Sequence, residues 1–344
     1  MRILALLSAL VGTLALAAGI AGAAQQHIQS GTVFVTERTP GASSVTAFDA
    51  ASGDVLWRSA TGDAPIGVTK PHGTEKVYTS DEGANRMSVF DERTGAFLHA
   101  IPMGLRPHHL IASPDGNFIY VGEFNQNTIG VVDTNTDTEI AHYPASGSAG
   151  ARTHAVWISN DGRNLYATNA GTANTISKLD AETGTLVWEF PIGANPSEIL
   201  VTQNDKIAYV SVRNEDKIKV LDVGGETPIV IGEAEAKSQP DTLSLTNDGR
   251  VLVVGLRSSP LVPARARAAL IDTEALTTHY VEMPAHTTTG HQWLSANGKL
   301  TFMAVESPGG LAVIDNEEET LAADYAYPGG SRPHGVFYQP QVLR

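Results

Sequence analysis

The sequence predicts an all-β fold, a seven-bladed β-propeller of four-stranded antiparallel blades, and three observations lead to this prediction. A strand-like segment that ends in Asp occurs seven times, the strand-like segments alternate apolar and polar residues, and the chain begins and ends with incomplete units. Repeats of about 40 to 45 residues with four strands each are typical of propeller blades. The repeats occupy nearly the whole chain of 344 residues.

Each repeat is marked by an Asp at the end of its third strand. These residues are Asp49, Asp91, Asp133, Asp180, Asp222, Asp272 and Asp315. In five units an Asp-Gly, Asn-Gly or Asn-Asp pair separates the first strand from the second, which predicts a tight hairpin. Each unit therefore consists of an inner strand A, followed by strands B, C and an outer strand D.

The two ends of the chain supply complementary parts of one unit. The segment GTVFVTER (31–38) predicts a B strand with no A strand before it, and RPHGVFYQP (332–340) predicts an A strand with no B strand after it. Pairing these two strands closes the ring and removes the exposed edges of an open sheet. We therefore predict one propeller domain over residues 25–344, closed by its N- and C-terminal strands.

The first 24 residues have the pattern of a secretory signal peptide. Arg2 is followed by an almost wholly apolar run from Ile3 to Ile20 and then by small residues that suit a signal peptidase. The protein is therefore predicted to be periplasmic or secreted, with no membrane span once the signal is cleaved. A retained N-terminal anchor is the alternative, since the apolar run is nearly long enough to cross a bilayer.

Composition excludes several classes of partner and cofactor. A formal net charge of −14 argues against nucleic acid or anionic lipid as the main partner, because both require a basic surface. The chain contains no cysteine, which excludes thiol nucleophiles, Cys-ligated zinc, iron–sulfur clusters and covalently attached c-type haem. A small ligand or a periplasmic protein remains as the expected partner.

Histidine is concentrated where the A strands are predicted to begin. Five of the seven starts carry His, and in a propeller these starts surround one mouth of the central channel. Imidazole suits copper, iron or zinc, so a transition metal is the candidate cofactor. The predicted metal ligands are His72, His108, His154, His291 and His334. The alternative is that each His simply forms a hydrogen bond to the neighbouring blade. His109 is expected to point away from His108, because neighbouring residues of a strand alternate.

Polar residues at the ends of the B strands and just before the A strands are expected at the same mouth. The predicted ligand-binding residues are Arg106, His108, Glu123, Arg152, Asn169, Arg213, Asp241, Arg257 and Arg332. Two longer loops, 143–154 and 256–269, are predicted on this face, and long loops often carry function. The guanidinium groups there could meet an anionic ligand, or they could pair with nearby carboxylates.

Two segments carry a resemblance to known families. SPDGNFIYVGEFNQNTIGVVD (113–133) and SNDGRNLYATNAGTANTISKLD (159–180) resemble the YVTN-type repeat of YncE-like bacterial propellers. TGHQWLSANGKLTFMAVESPGGLAVID (289–315) is similar to the last repeats of the propeller lactonases, although Gly290 and Val305 replace the Arg and Asn frequent in that family. The second resemblance implies His291 and Glu306 as candidate catalytic residues of a lactonase.

These observations lead to a functional hypothesis with two alternatives. The hypothesis is an exported binding or scaffold protein that holds a metal ion, a small anion or a partner protein at the His-rich mouth of the channel. The first alternative is an enzyme, either a lactonase-like hydrolase or a copper- or iron-dependent oxidoreductase that uses the same His ring. The second is a structural surface protein in which the His ring is incidental. Catalysis is left open by the sequence.

Overall fold

The protein is a ring of seven four-stranded antiparallel sheets, which confirms the predicted seven-bladed β-propeller. The computed structural model describes residues 30–257, 267–283, 288–307, 309–327 and 331–341. The inner strands of successive blades contact one another all the way round, so the ring surrounds a central channel. The predicted signal peptide, residues 1–24, lies outside the described residues.

The described residues form 28 strands, which follow the chain from blade to blade. Blade 1 contains β1 (Gly31–Glu37), β2 (Ser44–Asp49) and β3 (Val55–Ala60), and blade 2 contains β4 (Pro65–Thr69), β5 (Lys76–Asp81), β6 (Arg86–Asp91) and β7 (Phe97–Pro102). Blade 3 contains β8 (Pro107–Ala112), β9 (Phe118–Glu123), β10 (Thr128–Asp133) and β11 (Thr138–Pro144). Blade 4 contains β12 (Ala151–Ile158), β13 (Asn164–Gly171), β14 (Thr175–Asp180) and β15 (Leu186–Pro191).

Blades 5 to 7 and the closing strand have the same order. Blade 5 contains β16 (Pro196–Val201), β17 (Ile207–Val212), β18 (Lys217–Asp222) and β19 (Ile229–Glu235). Blade 6 contains β20 (Pro240–Leu245), β21 (Val251–Leu256), β22 (Arg267–Asp272) and β23 (Thr278–Glu282). Blade 7 contains β24 (Thr288–Leu294), β25 (Leu300–Ser307), β26 (Gly310–Asp315) and β27 (Thr320–Ala326), and β28 (Pro333–Pro340) returns to blade 1. Two 3-10 turns follow β5 and β17, at Glu82–Ala84 and Arg213–Glu215.

The ring is closed by the two ends of the chain, as the sequence predicts. Strand β28 pairs antiparallel with β1, and Phe337 lies opposite Phe34 in the register. The same blade then continues through β2 to β3. The closing strand thereby satisfies the backbone groups of β1 that would otherwise form an open edge.

The Asp that marks each repeat caps the turn between strands C and D. Asp49 Oδ1, for example, accepts the backbone N–H groups of Ala51 and Ser52 at 3.0 and 2.8 Å. Asp180 Oδ1 accepts the N–H groups of Glu182 and Thr183 at 3.1 and 2.8 Å. A short acceptor at this position satisfies backbone donors that the hairpin leaves free, so the repeated Asp is structural.

The core lies between adjacent blades, where apolar residues of the B and C strands face the next sheet. Tyr78, Tyr166, Phe34, Phe90 and Phe302 are among the largest fully buried side chains. Burying one such side chain contributes about 1.5–3 kcal/mol. Seven apolar clusters follow one another around the ring. This packing holds the inner strands, and therefore the channel, in fixed positions.

Candidate functional site

The inner strand of every blade carries a β-bulge at the same place, where it enters the channel. In blade 3, Pro107 pairs with Glu123 and Leu110 with Val121, so His108 and His109 together oppose the single residue Gly122. The seven bulged pairs are Ile66–Gly67, His108–His109, His154–Ala155, Ser197–Glu198, Asp241–Thr242, Gly290–His291 and His334–Gly335. A bulge interrupts the alternation of a strand, so both members of a pair can lie next to the channel.

The bulge corrects two predictions about the histidines. His109 does not turn away from His108, because their rings are stacked with centroids 4.8 Å apart and an interplanar angle of 8°. The pairing of β24 with β25 places Gly290 at the position equivalent to His108, and His291 at the position equivalent to His109. His291 is therefore one step further along the channel than predicted.

Five imidazoles form a continuous cluster in the channel. The ring centroids of His108 and His154 are 4.4 Å apart, and those of His109 and His291 are 4.0 Å apart. His291 continues to His334, with centroids 4.8 Å apart. One nitrogen from each of His108, His109 and His154 lies within 4.8 Å of the others. The cluster therefore contains His109, which was expected to point away from His108, and four of the five predicted ligands.

His72, the fifth predicted ligand, lies elsewhere. The inner strand of blade 2 is Pro65–Thr69 and ends before His72, which occupies the turn between β4 and β5 and is exposed. Ile66 takes the position in blade 2 that His108 takes in blade 3. The Pro-His-Gly resemblance between 71–73 and the C-terminal 333–335 misled the prediction, because the same tripeptide here opens a turn at the opposite end of the strand.

Burial keeps these imidazoles neutral. It lowers the pKa of His108, His109 and His291 well below the ordinary value, and the mutual repulsion of the neighbouring imidazoles adds to the effect. Burial and the guanidinium of Arg213 lower the pKa of His154 to about 3. A neutral imidazole has a free lone pair on one nitrogen, so the cluster presents nitrogen donors rather than positive charge.

Hydrogen bonds assign the ring nitrogens of His154. Nδ1 lies 2.8 Å from the carbonyl oxygen of Ser197, and Nε2 lies 3.3 Å from Nη2 of Arg213. A carbonyl can only accept, so Nδ1 carries the proton and Nε2 is the acceptor. In His108 the buried Nδ1 has no hydrogen-bond partner among the described residues.

The residues that follow the B strands form the rim of the mouth. In each blade, one residue of strand B pairs with the last residue before the bulge of strand A. The residues that follow these partners in the chain are Arg38, Glu82, Phe124, Ala170, Arg213, Arg257 and Glu306. A cavity of about 220 Å³ lies between this rim and the imidazoles. The predictions for Arg213, Arg257 and Glu306 therefore fall at the mouth, and Arg38 and Phe124 were missed.

Glu123 and Asn169, two predicted ligand-binding residues, each come one position before the rim residue of their strand. Their side chains point into their blades and not toward the mouth. Glu123 is fully buried and accepts hydrogen bonds from Thr128 at 2.5 Å and from His142. Asn169 is also fully buried, and its side-chain amide donates to Ser177 at 3.1 Å. Both are corrections that follow from the two-residue period of a strand, since adjacent positions face opposite sides.

Asp241 and Glu306 bind the guanidinium groups of the rim. Nε of Arg213 lies 3.1 Å from Asp241 Oδ1, and Nε of Arg257 lies 2.8 Å from Asp241 Oδ2. Glu306 Oε1 contacts Nδ1 of His334, and Glu306 Oε2 lies 3.3 Å from Nη2 of Arg332. Although burial alone would raise the pKa of Glu306, its hydrogen bond with His334 and the nearby positive charges lower it to about 2. Of the two imidazoles, it is His334 and not His291 that contacts the Glu306 carboxylate.

The other side of the rim carries an aromatic ring between two guanidinium groups. Arg106 Cζ lies 5.3 Å from the centroid of the Phe124 ring, and Arg152 Cζ lies 5.4 Å from it. Arg106 also bonds Glu82 at 2.5 Å, and Arg38 bonds the same carboxylate at 3.3 Å. Arg106 and Arg152 are thus at the mouth, as predicted. Most of the loop 256–269, including Arg265, lies outside the described residues.

Comparison with known proteins shows similarity to other β-propellers, among them lactonases over part of the chain. The family model described as "Lactonase, 7-bladed beta-propeller" matches residues 183–285. The periplasmic gluconolactonase of Pseudomonas aeruginosa has a similar structure, with a TM-score of 0.71 and 18% identity over 90% of this chain and 99% of that one. Hydrazine synthase of Kuenenia stuttgartiensis is also similar, with a TM-score of 0.69 and 19% identity over 79% of this chain and 89% of that one.

One curated protein is similar in sequence over part of the chain. Phosphoheptose isomerase of Solidesulfovibrio magneticus is 29% identical over 172 residues, which are 47% of this chain and 81% of that protein. The structural similarities at 18–19% identity show the fold and leave the reaction open. Among the described residues we find no helix with the length and apolar character to span a membrane.

Proposed function

We propose that this protein is an exported, YncE-like binding protein whose channel mouth holds a transition-metal ion together with a small anionic ligand. The observation that carries the proposal is the five-imidazole cluster, in which donor atoms of His108, His109 and His154 lie within 4.8 Å of one another. Neutral imidazole is a preferred ligand of copper, zinc and iron. Burial keeps the rings neutral, so a metal ion does not have to displace protons from them.

The rim supports an anion as the second component of the ligand. Among the described residues, six guanidinium groups lie at the mouth, those of Arg38, Arg106, Arg152, Arg213, Arg257 and Arg332. In the same part of the chain three carboxylates face them, those of Glu82, Asp241 and Glu306. The excess of positive charge attracts an anion even though the whole chain carries −14. A carboxylate or phosphate group can bind such guanidinium groups through paired hydrogen bonds.

Metal binding at the mouth is tested with untagged protein, Cu²⁺ and Zn²⁺. Replacing both His108 and His154 with Ala is expected to weaken binding to the mouth at least about tenfold, because two of the three nitrogen donors are lost. Isothermal titration and elemental analysis after dialysis measure the change.

The matched control is His72→Ala, because His72 lies on the opposite end of the blade and is exposed. This variant is expected to bind both metals like the parent protein. Equal affinity of the parent and the variant lacking His108 and His154 would overturn the proposal.

A lactonase-like hydrolase is the second candidate, favoured by the match of residues 183–285 to the lactonase propeller model. His334 donates from Nδ1 to the Glu306 carboxylate, which leaves Nε2 as the acceptor that could take a proton from water. Arg257 and Arg332 lie next to Glu306 and could bind the oxyanion of the substrate.

The hydrolase is tested with five- and six-membered sugar lactones. If it is correct, Glu306→Gln is expected to lower kcat about 10²-fold or more, since the carboxylate no longer orients His334. Glu82→Gln is the control, because Glu82 lies on the same rim and bonds Arg106 instead. Absence of lactone hydrolysis above the buffer rate in the parent protein would exclude this candidate.

A further inference from the structure

Blade 3 contains a second cluster of metal-ligating side chains that belongs neither to the imidazole cluster nor to the rim. Glu123, Glu139 and His142 each place one ligand atom within 4.8 Å of the other two. His142 Nδ1 lies 2.9 Å from Glu123 Oε2, and His142 Nε2 lies 3.6 Å from Glu139 Oε2. The cluster lies where β9 ends, between β9, β10 and the outer strand β11.

The pairing of the strands brings these three residues together. Residues three positions apart on a regular strand face opposite sides, yet Glu139 and His142 belong to the same cluster. The register between β10 and β11 shifts between Val131 and Val132, so Ile140 is an extra residue and changes the alternation. His142 lies opposite Gly130, and a Cβ at Gly130 would come within 2.5 Å of Glu139 Oε1. The missing side chain therefore leaves room for the second carboxylate.

The two carboxylates are buried with little compensation. The side chain of Glu123 is 0% exposed and that of Glu139 is 12% exposed. Oε1 of each residue is buried and has no hydrogen-bond partner among the described residues. Within the described part of the chain, His142 is the basic side chain that pairs with them. Buried carboxylates need a proton or a cation to neutralise them.

In blade 1 the carboxylate at the same position is neutralised by a guanidinium group. Glu37 is the equivalent of Glu123, and it bonds Arg58 at 2.8 Å and Thr46 at 2.8 Å. Arg58 lies opposite Thr46 in blade 1, and His142 lies opposite Gly130 in blade 3, so the two residues occupy equivalent positions. Blade 3 therefore has an imidazole where blade 1 has a permanently charged guanidinium group. In blade 4 the equivalent residue is Asn169, which carries no charge. Compared with blade 1, blade 3 has His142 in place of the more basic Arg58 and has Glu139 as an additional carboxylate. The two carboxylates of blade 3 therefore have too little positive charge beside them.

We propose that Glu123, Glu139 and His142 form a binding site for a divalent first-row transition metal on blade 3. Two carboxylates and one imidazole form a donor set that suits Zn²⁺, Mn²⁺ or Fe²⁺. The partial exposure of His142, whose side chain is 42% exposed, gives an ion access from solvent. A metal here supplies the missing positive charge and links the outer strand β11 to the end of β9.

The experiment separates this site from the mouth. The background is the untagged protein with His108, His109 and His154 all replaced by Ala, titrated with Zn²⁺ and with Mn²⁺ by calorimetry. This background is expected to retain one binding equivalent for at least one of the two ions. Adding Glu139→Gln, which keeps the shape of the side chain, is expected to weaken that binding at least about tenfold. Saturating metal is also expected to raise the Tm of the background and to leave that of the Glu139→Gln variant unchanged.

Arg58→Gln in the same background is the matched control, because it changes the equivalent position of blade 1 and leaves blade 3 intact. It is expected to retain the binding equivalent. The proposal is overturned if the background binds neither ion, or if Glu139→Gln binds as tightly as the background. The first of these results would mean that Glu123 and Glu139 share only a proton. If the parent protein bound no more metal than this background, and Glu139→Gln removed that binding, only the proposed function would be contradicted.

Discussion

Metal-free protein is expected to unfold on acidification between about pH 6 and pH 4, because its channel contains buried imidazoles that resist protonation. Burial lowers the pKa of His108, His109 and His291 well below the ordinary value, that of His154 to about 3, and that of His334 in spite of its Glu306 partner. In the unfolded chain each of them regains a pKa of about 6.5.

The direction of the effect follows from proton linkage. Below about pH 6.5 the unfolded chain binds protons at these imidazoles and the folded protein does not, so the free energy of unfolding falls as the pH falls. One imidazole that stays neutral in the folded protein removes about 1.4 kcal/mol per pH unit, or about 2 kcal/mol by pH 5. Several together approach the total stability of a domain, which is about 5–15 kcal/mol.

Urea unfolding in the presence of EDTA at pH 7.5, 6, 5.5 and 5, followed by tryptophan fluorescence, measures this dependence. In His154→Gln the slope of the unfolding free energy against pH is expected to be smaller by about 1.4 kcal/mol per unit, because one of these imidazoles has been removed. The control is His279→Gln, since His279 is a surface residue whose side chain is 54% exposed. A parent protein that is equally stable at pH 7.5 and pH 5 would refute this account.

The closed ring and the number of blades could be predicted from the sequence, because both depend on local patterns repeated seven times. The Asp at the end of each C strand accepts hydrogen bonds from the turn that directly follows it, as Asp49 and Asp180 show, so its role depends only on neighbouring residues. The direction of a side chain in the channel depends instead on one bulge in each inner strand. The positions predicted for His109 and His291 were therefore wrong. The residue types in PHH (107–109) and GHQ (290–292) do not indicate a bulge, in which two residues of strand A lie opposite one residue of strand B.

A different error at the ends of the B strands could have been avoided. Counting in steps of two from a buried residue of β9, such as Val121, places Glu123 on the same side and Phe124 on the other. The same count separates Glu37, which is buried in its blade, from Arg38, which faces the mouth. Counting in steps of two along strand B therefore identifies the residues that form the rim. It does not identify the blade 3 cluster, because that depends on the extra residue Ile140.

Asp241→Asn is expected to destabilise the protein by about 3 kcal/mol, because it removes a buried charge that serves two guanidinium groups at once. Asp241 is 2% exposed, and it pairs with Arg213 and Arg257 and accepts a hydrogen bond from Ser197. Although burial alone would raise the pKa of Asp241, the two guanidiniums hold it well below the usual range, so the carboxylate is charged at neutral pH. The amide leaves both arginines at the mouth without their counter-charge. The side chain of Arg257 is 30% exposed, so water can partly solvate its charge once the partner is lost. The expected loss of stability therefore lies at the lower end of the range for breaking a buried ion pair.

Two further variants separate the loss of charge from a general sensitivity of the channel. Asp248→Asn, in an exposed turn of the same blade, is expected to change the free energy of unfolding by less than about 0.5 kcal/mol. Arg213→Met in the Asp241→Asn background is expected to recover at least about 1 kcal/mol, because it removes one of the two unpaired cations. If urea unfolding at pH 7.5 gave strictly additive losses for Asp241→Asn and Arg213→Met, the two side chains would not be coupled, and the rim would be held by packing rather than by its ion pairs.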